Sequence, residues 1–243
     1  MRLALGALVL GALVALGALG LWALEGSPRT PPRDLGSAVL VATTLITTVG
    51  YGSGAPRSPA GRAFCSAYVA LGVPVAMVVL AGAARRLAEP VVHRPRRHLR
   101  ARWGFSRRGA ARLHFAALVA LAALLLVLLP AAAFSALEGA WTYLDAVYFC
   151  VVSLCTVGLG DLVAAEAPQQ PLRQLYQVAV AAYLLLGVTA ALLLAQTFHG
   201  LAELHGLPGS SAASAEEEPD GLLEGTRDEE KPPRERGGAG AQG

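Results

Sequence analysis

Two short turns constrain this chain more than any other feature. Thr48-Val49-Gly50-Tyr51-Gly52 and Thr156-Val157-Gly158-Leu159-Gly160 stand 108 positions apart, measured from Gly50 to Gly158. Each is enclosed by strongly apolar sequence. Glycine at alternate positions permits backbone angles that turn successive carbonyls to one side, angles a residue with a Cβ adopts reluctantly. The threonine hydroxyl adds one more oxygen at the inner end. A stack of such oxygens is suited to replace the water around a dehydrated cation. In the second copy Leu159 stands where the first has Tyr51.

The surrounding sequence belongs in a bilayer. Hydrophobic residues make up 54% of the 243 and charged residues 15%, with a mean hydropathy of +0.50. That composition excludes an ordinary soluble domain. Up to Leu24 the only charge is Arg2, and from Leu113 to Leu137 the only ionisable group is His114. Such runs exceed the roughly 20 apolar residues a helix needs to cross a membrane. The first run is longer than the roughly 7–15-residue core of a secretory signal, so it is read as an uncleaved span. Non-helical backbone at membrane depth requires enclosure by protein or contact with water, and a pore-lining turn meets that condition.

The order span, pore segment, span therefore occurs twice. Residues 1–25 form the first transmembrane helix and 26–32 a short extracellular linker. Residues 33–62 hold the first pore helix, its turn and an outer linker, and 63–87 the second transmembrane helix. Residues 88–112 are a basic connector and 113–138 the third transmembrane helix. Residues 139–174 hold the second pore helix, its turn and an outer linker, and 175–199 the fourth transmembrane helix. Residues 200–243 form an acidic tail expected to be disordered. The repeat is visible outside the turns, since Ala23-Leu24-Glu25-Gly26 returns as Ala136-Leu137-Glu138-Gly139, and Leu71-Gly72-Val73 as Leu186-Gly187-Val188. The expected fold class is an all-α membrane protein with four transmembrane helices and two re-entrant pore helix/filter segments.

Charge and composition limit the remaining readings. Ten arginines between Arg85 and Arg112 place the connector in the cytosol by the positive-inside rule, and parity then puts both termini there. The same arginines are suited to anionic inner-leaflet lipids. A soluble nucleic-acid binder built on them is excluded by the flanking spans. No span carries arginines at every third position, so a voltage-sensing helix is absent. No G-x-S-x-G or H-E-x-x-H occurs, and no nucleophile–base pairing is visible, so an enzyme is not expected. Cys65, Cys150 and Cys155 fall in apolar or pore segments and imply no disulfide framework. The chain has no asparagine, hence no N-glycosylation acceptor. Glu218-Pro219-Asp220-Gly221-Leu222-Leu223 fits an acidic dileucine sorting pattern, which also arises by chance in such tails.

A complete ring of carbonyls needs four turns, and one chain supplies two. Two chains with alternating first and second turns would close it with pseudo-fourfold symmetry. The pore helices would aim their partly negative C-terminal ends at the inner cavity, which favours a cation. Asp161 directly follows the second turn and has two readings, an outer-mouth carboxylate that attracts cations or a structural bond to the pore helix. Its counterpart is Ser53. Asp145 sits near the start of the second pore helix, where its charge suits the positive end.

Leu45 to Gly52, Leu71-Gly72-Val73-Pro74, the block from Glu138 to Asp161, and Tyr183 to Phe198 together resemble the two-pore-domain potassium channels, most nearly the TWIK subgroup. The resemblance runs from about Leu3 to His205. It implies a dimeric potassium-channel fold and a background potassium channel with its pore between subunits. It implies K⁺ contacts at Thr48, Val49, Gly50, Tyr51, Thr156, Val157, Gly158 and Leu159, with Gly52, Gly160 and Asp161 supporting. Potassium is then the permeant ion, and no cofactor is implied. Met77 and Leu192 would form an apolar constriction below the filter, the competing reading being ordinary helix packing. The partner would be a second copy or a related channel subunit, in the plasma membrane or an endolysosomal membrane. One departure stands out. Where the family has a long helical extracellular cap, only Gly26 to Pro32 separates Glu25 from Arg33. Seven residues reach roughly 25 Å and cannot hold such helices. A cap, its disulfide and cap-shielded side portals are therefore not expected, and a non-conducting or regulatory subunit is the alternative. Arg33 also replaces the aromatic anchor Trp141 of the second half. Ser53 stands where some relatives carry a proton-sensing histidine.

Overall fold

The computed structural model describes residues 2–25, 34–103, 107–165 and 172–204. The 26–32 linker, Arg33, and the tail from 205 with its Glu218–Leu223 pattern lie outside them. Regular structure among the described residues is helical. The first half contains α1 (Arg2–Glu25), α2 (Leu35–Ile46) and α3 (Pro59–Ala88). A π-helical turn, Glu89–His93, leads into α4 (Arg94–Trp103). The second half contains α5 (Arg107–Ala122), a π-helical turn at Ala123–Leu128, α6 (Leu129–Leu137), α7 (Tyr143–Leu154) and α8 (Arg173–Leu204).

Four apolar helical stretches are long enough to cross a bilayer: Ala4–Glu25, Pro59–His98, Gly109–Leu137 and Arg173–Ala202. The protein is a multi-pass membrane protein. α2 and α7 have 12 residues each and are too short to cross. The second span starts at Pro59, four residues before the expected Ala63. Ser58 is the reason: its Oγ accepts the Gly61 N–H at 2.9 Å, and Pro59 gives up no bond at the first helical position. The helix also runs on past Leu87. The π-helical turn absorbs Pro90, whose ring cannot donate within a regular α-helix.

Pro130 imposes a comparable adjustment in the third span. It has no N–H to offer the Leu126 carbonyl four residues back, and the preceding turn is π-helical. The Tyr183 hydroxyl of α8 donates to that carbonyl at 2.7 Å. A proline defect in one span is thus satisfied by a side chain of another.

Glycine brings the helices close. Rings of Tyr68 and Phe64 on α3 occupy the space a Cβ would need at Gly17 and Gly20 of α1. α2 lies against both α1 and α8, and a Cβ at Gly36 would meet Gln177 and the Gln174 backbone. α7 packs on α6, and Gly187 of α8 admits Leu154. The main buried cluster joins the halves, placing Leu40, Val49 and Tyr51 of the first among Phe134, Ala146, Phe149, Cys150 and Leu184 of the second.

Candidate functional site: the paired glycine turns

Both pore helices end directly in their turns, and the two ends are built alike. Thr48 N–H donates to Leu45 at 3.2 Å, and Thr156 N–H to Ser153 at 3.0 Å. Gly50 N–H reaches back to the Thr44 carbonyl at 3.1 Å, and Gly158 N–H to the Val152 carbonyl at 3.2 Å. Every partner in the second set lies 108 positions after its counterpart. The backbone then alternates. Thr48, Gly50 and Gly52 have φ of 61°, 55° and 84°; Thr156, Gly158 and Gly160 have 55°, 53° and 75°. Left-handed φ at every second residue turns alternate peptide planes over, which brings successive carbonyls to a common side. Thr48 and Thr156 accept this conformation despite their Cβ, at a cost of roughly 1–3 kcal/mol each.

The two turns lie side by side. A Cβ on Gly158 would fall on the Val49 carbonyl oxygen, and one on Gly160 on the Tyr51 carbonyl oxygen. Thr48 to Gly52 and Thr156 to Gly160 are therefore brought together, with carbonyls of the first turn directed at the second. Tyr51 points the other way. Its hydroxyl makes a 2.6 Å hydrogen bond with Ser153 Oγ, and its ring stacks on Phe149 at 6.0 Å. Phe149 is held in turn by Phe134 at 5.2 Å and Trp141 at 5.1 Å. Val49 and Tyr51 are 3% and 8% exposed, whereas Val157 and Leu159 are 57% and 61% exposed.

Two buried carboxylates brace the loops behind the turns. Glu25 accepts the backbone N–H of Arg57 (3.1 Å) and Ser58 (3.0 Å) and the Ser58 hydroxyl (2.7 Å). Glu138 accepts the N–H of Ala165 at 2.7 Å. Arg57 and Ala165 are again 108 positions apart. The Ala165 carbonyl accepts from Arg173 Nε at 3.2 Å and Gln177 Nε2 at 3.1 Å. Arg173 also pairs with Asp34 at 3.3 Å, tying the start of α8 to the start of α2. From sequence, Glu25 and Glu138 read only as closers of a span. Their recurrence in Ala-Leu-Glu-Gly was the signal available for more.

The acids near the second turn are accounted for locally. Asp161 is exposed, and its Oδ2 accepts the Tyr148 hydroxyl at 2.9 Å, which raises the phenol above its usual pKa. The bond to the pore helix is thus present. Ser53 is exposed at the matching position. Asp145 completes a capping box: it accepts the Thr142 N–H (2.9 Å) and hydroxyl (2.7 Å), and its own N–H donates to Thr142 Oγ1. The Thr142 hydroxyl and N–H hold its carboxyl below the usual range. Met77 is half-buried on α3. Leu192 is half-buried on α8, packed against Ala84, Val92 and Leu193.

Four spanning helices and two re-entrant helix–turn units define a multi-pass membrane protein of the channel class. A family model described as "Ion channel" matches residues 8–89 and 122–202. Potassium channel subfamily K member 1 of Bos taurus is 40% identical over 171 residues, 70% of this chain and 51% of that protein. The Homo sapiens protein of the same name gives the same identity and coverage. Potassium channel subfamily K member 7 of Mus musculus is 39% identical over 220 residues, 88% of this chain and 71% of that protein. The chain thus spans about half the length of the member 1 relatives it matches. It belongs to this ion-channel family and, within it, to the two-pore-domain potassium channels, which are channels and not enzymes.

Proposed function

We propose that two copies of this chain form a potassium-selective background channel, with Thr48 to Tyr51 and Thr156 to Leu159 contributing the oxygens that replace the ion's water. One observation carries the reading: the same alternation of left-handed φ at matched positions of two adjacent turns. A desolvated ion costs on the order of 20 kcal/mol to place in hydrocarbon by idealised Born estimates. Stacked carbonyl sites offset that cost, and repulsion between neighbouring ions keeps any one of them from staying. Gly52 and Gly160 let each turn leave the ring, and Asp161 adds negative charge at the outer mouth. Met77 and Leu192 are the candidates for an apolar narrowing below. Both termini and the arginine-rich connector face the cytosol, the connector against anionic lipid, in the plasma membrane or an endolysosomal membrane. The spans carry no periodic arginines, which favours a conductance open across voltages.

The test is reversal potential. Purified protein in bilayers under a potassium gradient should pass a weakly voltage-dependent current reversing near the potassium equilibrium potential, abolished by Gly50→Glu. Absence of current from correctly inserted protein would remove the reading. The short sequence between Glu25 and Arg33 favours a second one, a silent subunit that modifies a relative. A chain that is silent alone but alters the current of a co-expressed related subunit would establish it.

A further inference from the structure

Two tyrosines make the same three-way junction, one in each half. Tyr68 on α3 stands three positions before Leu71-Gly72-Val73, and Tyr183 on α8 three before Leu186-Gly187-Val188. Their hydroxyls reach matched places. Tyr68 donates to the Leu13 carbonyl of α1 at 3.2 Å, and Tyr183 to the Leu126 carbonyl of the third span at 2.7 Å. Leu13 and Leu126 each stand ten positions before their Ala-Leu-Glu-Gly repeat. The same hydroxyls touch the pore helices. Tyr68 lies 3.4 Å from the Ala42 carbonyl of α2, and Tyr183 hydrogen-bonds with the Cys150 thiol of α7. Ala42 and Cys150 are 108 positions apart, as the turns are. Each lies two residues before the carbonyl, Thr44 or Val152, that receives the glycine N–H of its turn.

We infer that Tyr68 and Tyr183 are positioning residues that fix each pore helix to an outer span and thereby hold the turn carbonyls in register for the ion. The inference rests on the ion site proposed above. The two junctions differ in one respect. Gly17 keeps the N–H that a helix directs at the Leu13 carbonyl, whereas Pro130, at the matched place, has none for Leu126. Leu126 therefore takes its donor from Tyr183, and Leu13 does not depend on Tyr68. Loss of the Tyr183 hydroxyl strands a carbonyl at membrane depth, where no water replaces the bond. Loss of the Tyr68 hydroxyl strands none. Both losses release a pore helix from its span.

Melting the purified full chain in detergent, in potassium and in sodium at equal ionic strength, tests this. Bound potassium stabilises a formed site, so the unaltered chain should melt higher in potassium. Tyr183→Phe should lower the sodium melting temperature and cut the potassium increment at least about twofold. Tyr68→Phe should cut the increment with a smaller fall in sodium. Adding Pro130→Ala to Tyr183→Phe returns an N–H to the Leu126 carbonyl. It should restore the sodium melting temperature and leave the increment reduced. Restoration of both would make Tyr183 only the partner of a stranded carbonyl, and restoration of neither would mean that its hydroxyl does not act through Leu126. Either result overturns the inference. An undiminished increment in the two phenylalanine variants also overturns it, while the ion site stands. No increment in the unaltered chain overturns the ion site and the inference together.

Discussion

The two turns share a backbone and differ in their surroundings. The first is enclosed by its own chain: Val49 and Tyr51 are buried, and an aromatic cluster of Phe134, Trp141 and Phe149 backs them. Within a single chain the second leaves Val157 and Leu159 exposed. Their capping differs too. α7 begins with a complete capping box, whereas Asp34 at the start of α2 makes no side-chain cap bond and instead pairs with Arg173. The two turns keep the same backbone although Tyr51 in one is replaced by Leu159 in the other, so that side chain does not set the turn conformation. It comes from glycine placement and from the matched reach-back bonds of Gly50 and Gly158.

The largest effect comes from filling the turns. In one chain a Cβ at Gly158 strikes the Val49 carbonyl, whereas nothing lies within 4 Å of a Cβ at Gly50. A closed ring of two chains removes that difference. Gly158→Ala and Gly50→Ala should then abolish potassium current equally. Surviving current in Gly50→Ala would show that the first turn meets no neighbour.

Removing the braces should cost stability unevenly. Glu25 accepts three hydrogen bonds and Glu138 one at its loop. Glu25→Ala should cost about 3 kcal/mol and Glu138→Ala about 2 kcal/mol, since bonds to charged groups are among the stronger ones. Thermal unfolding in detergent measures both, and a reversed order would break the comparison of the two loops.

Tyr51→Phe removes the bond to Ser153 and should cost about 1 kcal/mol. Ser153→Ala should cost the same, and the double variant little more. Leu159→Phe has no such bond to lose and should show no coupling to Ser153.

Smaller effects belong to the acids. The Asp145 carboxyl is held below its usual pKa, so its capping contribution is present above the unfolded pKa and fades as pH falls through the folded value. Asp145→Asn should flatten that acid limb of the melting curve. Asp161→Asn keeps an acceptor for Tyr148 but removes a charge. Inward conductance should fall by less than about twofold in low salt and be unchanged in high salt, where exposed charges are screened.

The sequence by itself determined the layout. Bilayer thickness and apolar run length leave few ways to place four spans, and glycine spacing marks the two turns because few other residues accept their angles. It also marked the halves as repeats. Tertiary structure alone decided what stands behind each turn. Tyr51 finds Ser153 across 102 positions, Tyr183 finds the carbonyl freed by Pro130, and Glu25 and Glu138 turn out to be loop braces. Local sequence reports what a residue can do, but a hydrogen bond between distant segments exists only once packing has brought its donor and acceptor within reach.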